Sequence, residues 1–258
     1  MIPKIIHYCW FGRKPLPELA LKCIASWKKF LPDYEIKEWN EDNFDVNQIP
    51  YTAQAYLCGK FAFVSDYARF KIMYEYGGIY FDTDVEVIKA LDDIIAKGPF
   101  FGLEKDFTKS FLTKKIYCAP GLGFACPPNH TLCKSMINMY KSIKFIKKNG
   151  QYNLKNIVQF FSELLLKKGL NPHSGIIQFN DVNIYPTEYF CPINYETKEQ
   201  KTTQNTRTIH HYAASWVKPN ENLPLITRIW NFFHLPNTDL RGKIKHFFSS
   251  NTIINHRQ

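Results

Sequence analysis

Asp82 and Asp84 stand two residues apart in the run Ile79-Tyr80-Phe81-Asp82-Thr83-Asp84-Val85. If that run is a β-strand, both side chains leave the same face, because successive residues alternate. Two carboxylates held together repel, and a divalent cation relieves the repulsion; hard oxygen donors suit magnesium or manganese. Apolar Ile79, Tyr80 and Phe81 would bury the strand's stem and leave the acidic pair at its end, where a phosphate-bound metal can dock. Glu86 continues the spacing, but a calcium loop is excluded because its sixth position requires Gly and holds Val87. Upstream, Asp66 and Arg69 are three apart, which on a helix places them on one face. A carboxylate and a guanidinium leading into Gly77-Gly78 and the acidic run suit a hydroxyl-rich ligand. Each feature alone also occurs as ordinary surface charge, worth little, so their joint spacing carries the reading.

The elements that must position these residues follow from periodicity. Residues 4–10 read as a short buried strand, and 19–30 as a helix with Leu19, Cys23, Ile24 and Trp27 on one face. Residues 34–39 alternate as a second strand, 61–76 form a helix stopped by Gly77-Gly78, and 79–88 form the acidic strand. Beyond these, 131–146 and 154–168 read as helices, and 184–190 and 208–212 as short strands. Strands alternating with helices predict an α/β fold with a mostly parallel central sheet and added helices. The opening β-α-β-α-β order fits a nucleotide-binding half-sheet, whose ligands gather at the carboxyl ends of its strands. Neither GxGxxG nor a Walker A sequence is present, which removes a dinucleotide site and a P-loop.

Composition narrows the partners. With 258 residues, 45% hydrophobic and 22% charged, the chain can bury a sizeable core and is not of disordered composition. The formal charge of +10 is concentrated: twelve Lys and two acids, Asp106 and Glu163, lie between Lys105 and Lys168. Phosphate-bearing substrates, anionic membranes and nucleic acid would all be attracted. Nucleic acid is set aside because no aromatic–basic RNA motif or basic recognition helix is found. The seven Cys show no CxxC pair and read as buried reduced thiols, not a disulfide frame or zinc site, which suits a cytoplasmic setting. No apolar run approaches the roughly 20 residues needed to span a bilayer.

Taken together, Ser65, Asp66, Arg69, Gly77, Gly78, Tyr80, Asp82 and Asp84 form the pattern SD-x-x-R-(x)7-GG-x-Y-x-D-x-D. This pattern resembles the DXD-containing glycosyltransferases of the sugar-binding-region family. That family includes fungal initiating mannosyltransferases, α-1,4-galactosyltransferases and bacterial capsule and lipopolysaccharide enzymes. The opening IPKIIHYCWFG and the later IHHYAASW agree in type and order. The resemblance implies a GT-A-like, Rossmann-type nucleotide-sugar-binding fold over residues 1–220, followed by a basic, aromatic helical tail over 221–258. It assigns Asp82 and Asp84 to the metal, with Asp84 the direct ligand, helped by His210 or His211. Those neighbours cannot both face inward on a strand, and the resemblance favours the first. It assigns Asp66 and Arg69, with Ser65 and Tyr80, to the donor sugar and ribose, His7 and Trp10 to the nucleoside, and Ser215 and Trp216 to the diphosphate. The APGLGFACPP segment offers mainly backbone groups where related enzymes carry Asn or Asp.

The implied activity is metal-dependent, retaining transfer of a sugar from a nucleotide-sugar to a saccharide or lipid-linked saccharide acceptor in surface polysaccharide synthesis. The implied cofactor is Mn2+ or Mg2+, and UDP is the default nucleotide. Two other classes are weighed against it: a metal-dependent phosphodiesterase or nuclease, and a non-enzymatic basic nucleic-acid-binding module. The first needs a second acidic or His cluster for a second metal, which the sequence does not offer. In the tail, Ile226, Ile229, Trp230 and Phe233 have helical spacing, and no acid follows Asp239. Such a segment fits either an interfacial helix on the anionic inner face of a membrane or a helix docked on the domain.

Overall fold

A computed structural model describes residues 1–107 and 115–213. Ser215, Trp216 and the tail therefore lie outside the described residues. In chain order the first half contains β1 (Ile5–Cys9), α1 (Glu18–Phe30), β2 (Glu35–Trp39), α2 (Pro50–Leu57), α3 (Phe61–Tyr76), β3 (Gly78–Tyr80), β4 (Val85–Val87) and α4 (Asp92–Ile95). The second half contains β5 (Phe100–Lys105), β6 (Tyr117–Cys118), a 3-10 turn at Pro120–Leu122, β7 (Phe124–Cys126), α5 (Thr131–Lys141), α6 (Ile157–Lys167), β8 (Ile177–Phe179), β9 (Val182–Tyr185), α7 (Thr187–Phe190) and β10 (Thr208–His210).

The main sheet runs β2-β1-β3-β7-β5-β9-β8, with β6 added to β5. Its first part, β2-β1-β3, is parallel, as the β-α-β-α-β reading requires. The rest is mixed: β7 lies antiparallel between β3 and β5, and β5 is parallel to β9. Alternation divides the core between the two faces. Ile6, Ile79, Phe100 and Ala125 join Cys23 and Trp27 of α1 in one cluster. Tyr80, Phe101, Phe124 and Cys126 join residues of α3, α5 and α6 in the other. Among the described residues no helix is long and apolar enough to cross a membrane.

The structure corrects three element boundaries. The acidic strand expected over 79–88 is two strands, because β3 stays in the main sheet while β4 pairs antiparallel with β10 in a separate two-stranded sheet. The change occurs where the Phe81 amide bonds His7 O at 3.1 Å and the Asp82 amide bonds Gly121 O at 3.1 Å. Asp82 and Asp84 thus lie in the turn between strands, not on one strand face. The strand expected over 184–190 ends at Tyr185, since Pro186 has no amide to give a ladder and instead starts α7. The helix expected over 131–146 stops at Lys141.

α3 is buried over most of its surface, with Phe63, Val64, Asp66, Tyr67, Ala68, Arg69, Phe70, Ile72 and Met73 all inside. A helix buried all round belongs to the core, and this one carries two charges into it. Its exit is fixed by Gly77, with φ of 63°, where a Cβ would stand 2.6 Å from Pro128 N. Gly78, with φ of 102°, lies so near Ile5 O that a Cβ would stand 2.5 Å away. Only glycine fits both the backbone and the space, so α3 passes directly into β3.

α6 begins with a capping box. Asn156 Oδ1 accepts from the Gln159 amide at 2.9 Å, and the Asn156 amide donates to Gln159 Oε1 at 3.2 Å. Asn156→Ala should cost about 1 kcal/mol, or roughly 2–4 °C in Tm. A thermal melt that leaves Tm unchanged would show that the cap contributes nothing to the fold.

Candidate active site

The centre of the site is Arg69, whose side chain is 4% exposed. Its Nη2 lies 3.3 Å from Asp66 Oδ1 and 3.2 Å from Asp82 Oδ1. Its Nε donates to Ser65 O at 3.2 Å, and its guanidinium lies 4.9 Å from the Tyr80 ring centroid. Nη1 is buried without a hydrogen-bond partner. Tyr80 donates its hydroxyl to Asp82 Oδ1 at 3.1 Å, so that oxygen is held from two sides. The other oxygen, Oδ2, faces Gly121: a Cβ there would stand 2.1 Å from it. The backbone-only character of the 119–121 segment is therefore what admits the Asp82 carboxylate.

Asp84 is held from the opposite direction. Its Oδ1 lies 3.3 Å from His210 Nε2, and its Oδ2 accepts from the Ala213 amide at 2.9 Å. β10 settles the orientation of the histidine pair. His210 turns to Asp84, while the His211 ring turns to Glu86, with Nε2 2.8 Å from Oε2. Glu86 also meets Lys22 at 3.2 Å. The alternation expected on a strand thus separates the two histidines, and the reading that kept His211 beside the acidic pair is corrected. The Nδ1 of His210 is buried without a partner.

Charge and burial set the protonation of this group. Burial raises the Asp66 carboxyl to about 7, with Arg69 opposing and Asp82 adding to the shift. Burial also raises Asp82 against the pull of Arg69, and the charge of Asp84 adds to the rise. Asp84 goes the other way: burial acts to raise it, but the bond and charge of His210 and the Ala213 amide together hold it below the usual range. Burial acts to lower His210, yet its bond to Asp84 and the charges of Asp84 and Asp82 leave it raised. Neighbouring carboxylates are thereby driven apart in acidity, a pattern common at functional sites.

Two residues assigned to ligand binding by resemblance are occupied elsewhere. His7 is wholly buried. Trp39 Nε1 donates to its Nδ1 at 3.0 Å, which leaves Nε2 to donate to Gly77 O at 2.9 Å. It therefore fixes the Gly77 turn and has no atom left for a nucleoside. The Ser65 hydroxyl donates back to Phe61 O at 3.3 Å. Trp10 follows the carboxyl end of β1 and is half-buried, with Nε1 donating to Lys14 O at 2.6 Å.

Three contributors escaped the sequence reading. Gly121 is the first; its signal was the unusual Gly121-Leu122-Gly123 after Pro120. Arg207 is the second: it grips Asp93 with Nε at 3.3 Å and Nη2 at 2.6 Å and so anchors the start of β10. Glu104, at the end of β5, is the third. Burial raises its carboxyl, opposed by the charge of His210 and then of Lys105. Neither charged residue has a local pattern that marks it.

Residues 17–101 match the family described as the glycosyltransferase sugar-binding region containing the DXD motif. That match encloses Ser65 through Asp84 and stops before Gly121 and His210. The chain is 27% identical over 224 residues to an uncharacterized glycosyltransferase of Acanthamoeba polyphaga mimivirus, covering 84% of each chain. It is 33% identical over 98 residues to inositol phosphoceramide mannosyltransferase 3 of Schizosaccharomyces pombe, a match covering 36% of this chain and 27% of the relative. Among solved structures it is similar to PaToxG glycosyltransferase, with a TM-score of 0.46, 20% identity, and 65% and 70% of the two chains covered. It is also similar to the galactosyltransferase LgtC in complex with donor and acceptor sugar analogues, with a TM-score of 0.40, 15% identity and coverage of 93% and 99%.

Two tests follow from the geometry. Gly121→Ala should displace the Asp82 carboxylate and lower turnover roughly 100-fold, as a misplacement of about 1 Å can, while the variant still melts cooperatively. Wild-type turnover would show that Asp82 does not depend on this approach. Burial lowers His7 to about 4, against 6.5 when unfolded. The unfolded chain then binds the extra proton first, so stability present above 6.5 is lost as pH falls toward 4. That loss is on the order of 3 kcal/mol, and it should vanish from urea titrations of His7→Gln. Equal pH slopes for the two proteins would remove His7 from the account.

Proposed function

We propose that the chain is a member of the DXD-containing glycosyltransferase sugar-binding-region family, whose model matches residues 17–101, and that it transfers a sugar, with retention, from a UDP-sugar to a saccharide or lipid-linked saccharide. The observation that carries this reading is the arrangement around the acidic turn. Arg69 fixes one oxygen of Asp82 and leaves the other against Gly121, while His210 and the Ala213 amide aim Asp84. Two carboxylates and an imidazole are donor types that suit Mn2+ or Mg2+. Asp82, Asp84 and His210 would hold the ion. When bound, it would neutralise charge on the departing diphosphate.

The chain's own residues supply position and charge. Asp66 and Arg69 lie deepest, where a carboxyl near neutrality and a fixed guanidinium can accept from and donate to sugar hydroxyls. Arg69 Nη1, buried and unpartnered, is the donor still open for such a contact. Trp10, beside the carboxyl end of β1, offers a ring for the base. The acceptor hydroxyl attacks from the leaving-group face, and its proton passes to the departing phosphate, so no separate general base is needed. Catalysis then rests on orientation and preorganised charge. The S. pombe relative is named for inositol phosphoceramide, which supports a lipid-linked acceptor. Surface polysaccharide assembly on the cytoplasmic face of a membrane is the setting that fits.

The test is a panel of nucleotide sugars incubated with the protein and manganese, with released nucleoside diphosphate as the readout. Asp84→Asn should lower release at least about 100-fold while the melting profile remains cooperative. Full activity in that variant would overturn the assignment. Release of nucleoside monophosphate in place of diphosphate would favour phosphodiester cleavage.

A further inference from the structure

Three side chains converge on the far end of β3 from the acidic turn. Cys126 ends β7 and pairs with Gly78. Asp82 lies four positions on from Gly78, about 13 Å at the rise of a strand. His130 precedes α5, and Cys133 lies in that helix's first turn. The ligand atoms of Cys126, His130 and Cys133 all lie within 4.8 Å of one another. Both cysteines are 0% exposed and His130 is 4% exposed.

The spacing of the sulfurs is informative. Cys126 Sγ and Cys133 Sγ stand 3.7 Å apart. Two thiolates on one tetrahedral zinc, each at about 2.3 Å, would stand about 3.8 Å apart. Thiols in simple van der Waals contact reach a similar distance, so the histidine decides between the two. The Nδ1 of His130 is buried with no polar partner, and a buried polar atom left unpaired is costly. Nε2 lies 3.3 Å from Asp181 Oδ2, whose side chain is 62% exposed. A histidine that ligates through one nitrogen and gives the other N–H to a carboxylate is the usual arrangement at zinc.

We propose that Cys126, His130 and Cys133 form a three-ligand zinc site, with His130 ligating through Nδ1 and held by Asp181 through Nε2. Binding converts two thiols and one Zn2+ into a zinc dithiolate with release of two protons to solvent; no electron moves. The fourth position is left to water. Burial lowers the pKa of His130, with Asp181 opposing, so the ring is neutral and needs no deprotonation. The expectation that these cysteines are only core thiols rested on the absence of a CxxC pair, and the C-x3-H-x2-C spacing here contains none. The site ties β7 to α5 directly behind the Gly77-Gly78 passage, and it is separate from the proposed metal at Asp82 and Asp84.

The full chain, purified under reducing conditions from zinc-supplemented medium, should carry about one zinc per chain by elemental mass spectrometry. A mercurial reagent should release it to a chromogenic chelator, and cobalt replacement should give thiolate-to-cobalt charge-transfer absorption. Cys133→Ala should abolish binding, Asp181→Asn should weaken it about 10–100-fold, and Asp84→Asn and Cys58→Ser should leave it unchanged. Because Cys133→Ala can fail by misfolding, the mercurial and cobalt measurements on the unaltered chain stand independently. Zinc below about 0.1 per chain together with no cobalt band would overturn the proposal. Zinc lost in Asp84→Asn but kept in Cys133→Ala would place the ion at the acidic turn and overturn it equally.

Discussion

A guanidinium taken out of water must be repaid by its neighbours, and Arg69 has two carboxylates, an aromatic face and a backbone carbonyl to do so. Its placement links three separate pieces of chain: Asp66 on the same helix, Asp82 after β3, and Gly121 in the turn before β7. Removing one partner of such a buried group is costly, typically about 3–5 kcal/mol, because the remaining charge is left uncompensated. One cation facing two anions leaves a surplus negative charge. The structure answers by raising the Asp66 carboxyl to about 7, so the innermost carboxyl is the one able to take up a proton. Asp82, 31% exposed at its side chain, is the carboxylate presented outward. The charge cluster therefore has an interior anchor and an accessible end.

Asp84 answers to a different part of the molecule. Between Asp82 and Val85 the chain leaves the main sheet and joins β10, so the two acids sit across the seam between the sheets. Asp82 is tied to the main sheet through the Gly121 carbonyl and Arg69. Asp84 is tied to residues 210–213 through His210, the His211 amide and the Ala213 amide. Arg207 and Asp93 clamp the entry to that segment, and the Arg207 carbonyl accepts the Ile88 amide at 2.9 Å. A segment more than a hundred residues downstream thus completes a turn whose motif looks local.

Much of this was written in local spacing. The i,i+3 Asp66–Arg69 pair and the Gly77-Gly78 stop are short-range patterns, and backbone geometry alone converts them into a shared helix face and an abrupt change of direction; the D-x-D was visible as a motif, but not as a turn. β1, α1, β2 and α3 were equally legible, because apolar periodicity reports which face each element buries. For α3 the predicted and observed limits coincide at Phe61 and Tyr76.

What the tertiary structure decided were the partners. Whether His7 meets a ligand depends on Trp39 and Gly77, 32 and 70 residues away; whether His210 or His211 meets Asp84 depends on how β10 pairs with β4. The acidic strand broke in two because the Asp82 amide found Gly121 O and β4 found β10. None of these choices changes the local periodicity of residues 79–88. Gly121 and the Cys126–His130–Cys133 cluster were hidden for the same reason. A periodic pattern records which way a side chain points, but the atom it meets is supplied by a distant segment, and only the packed chain brings that segment to it.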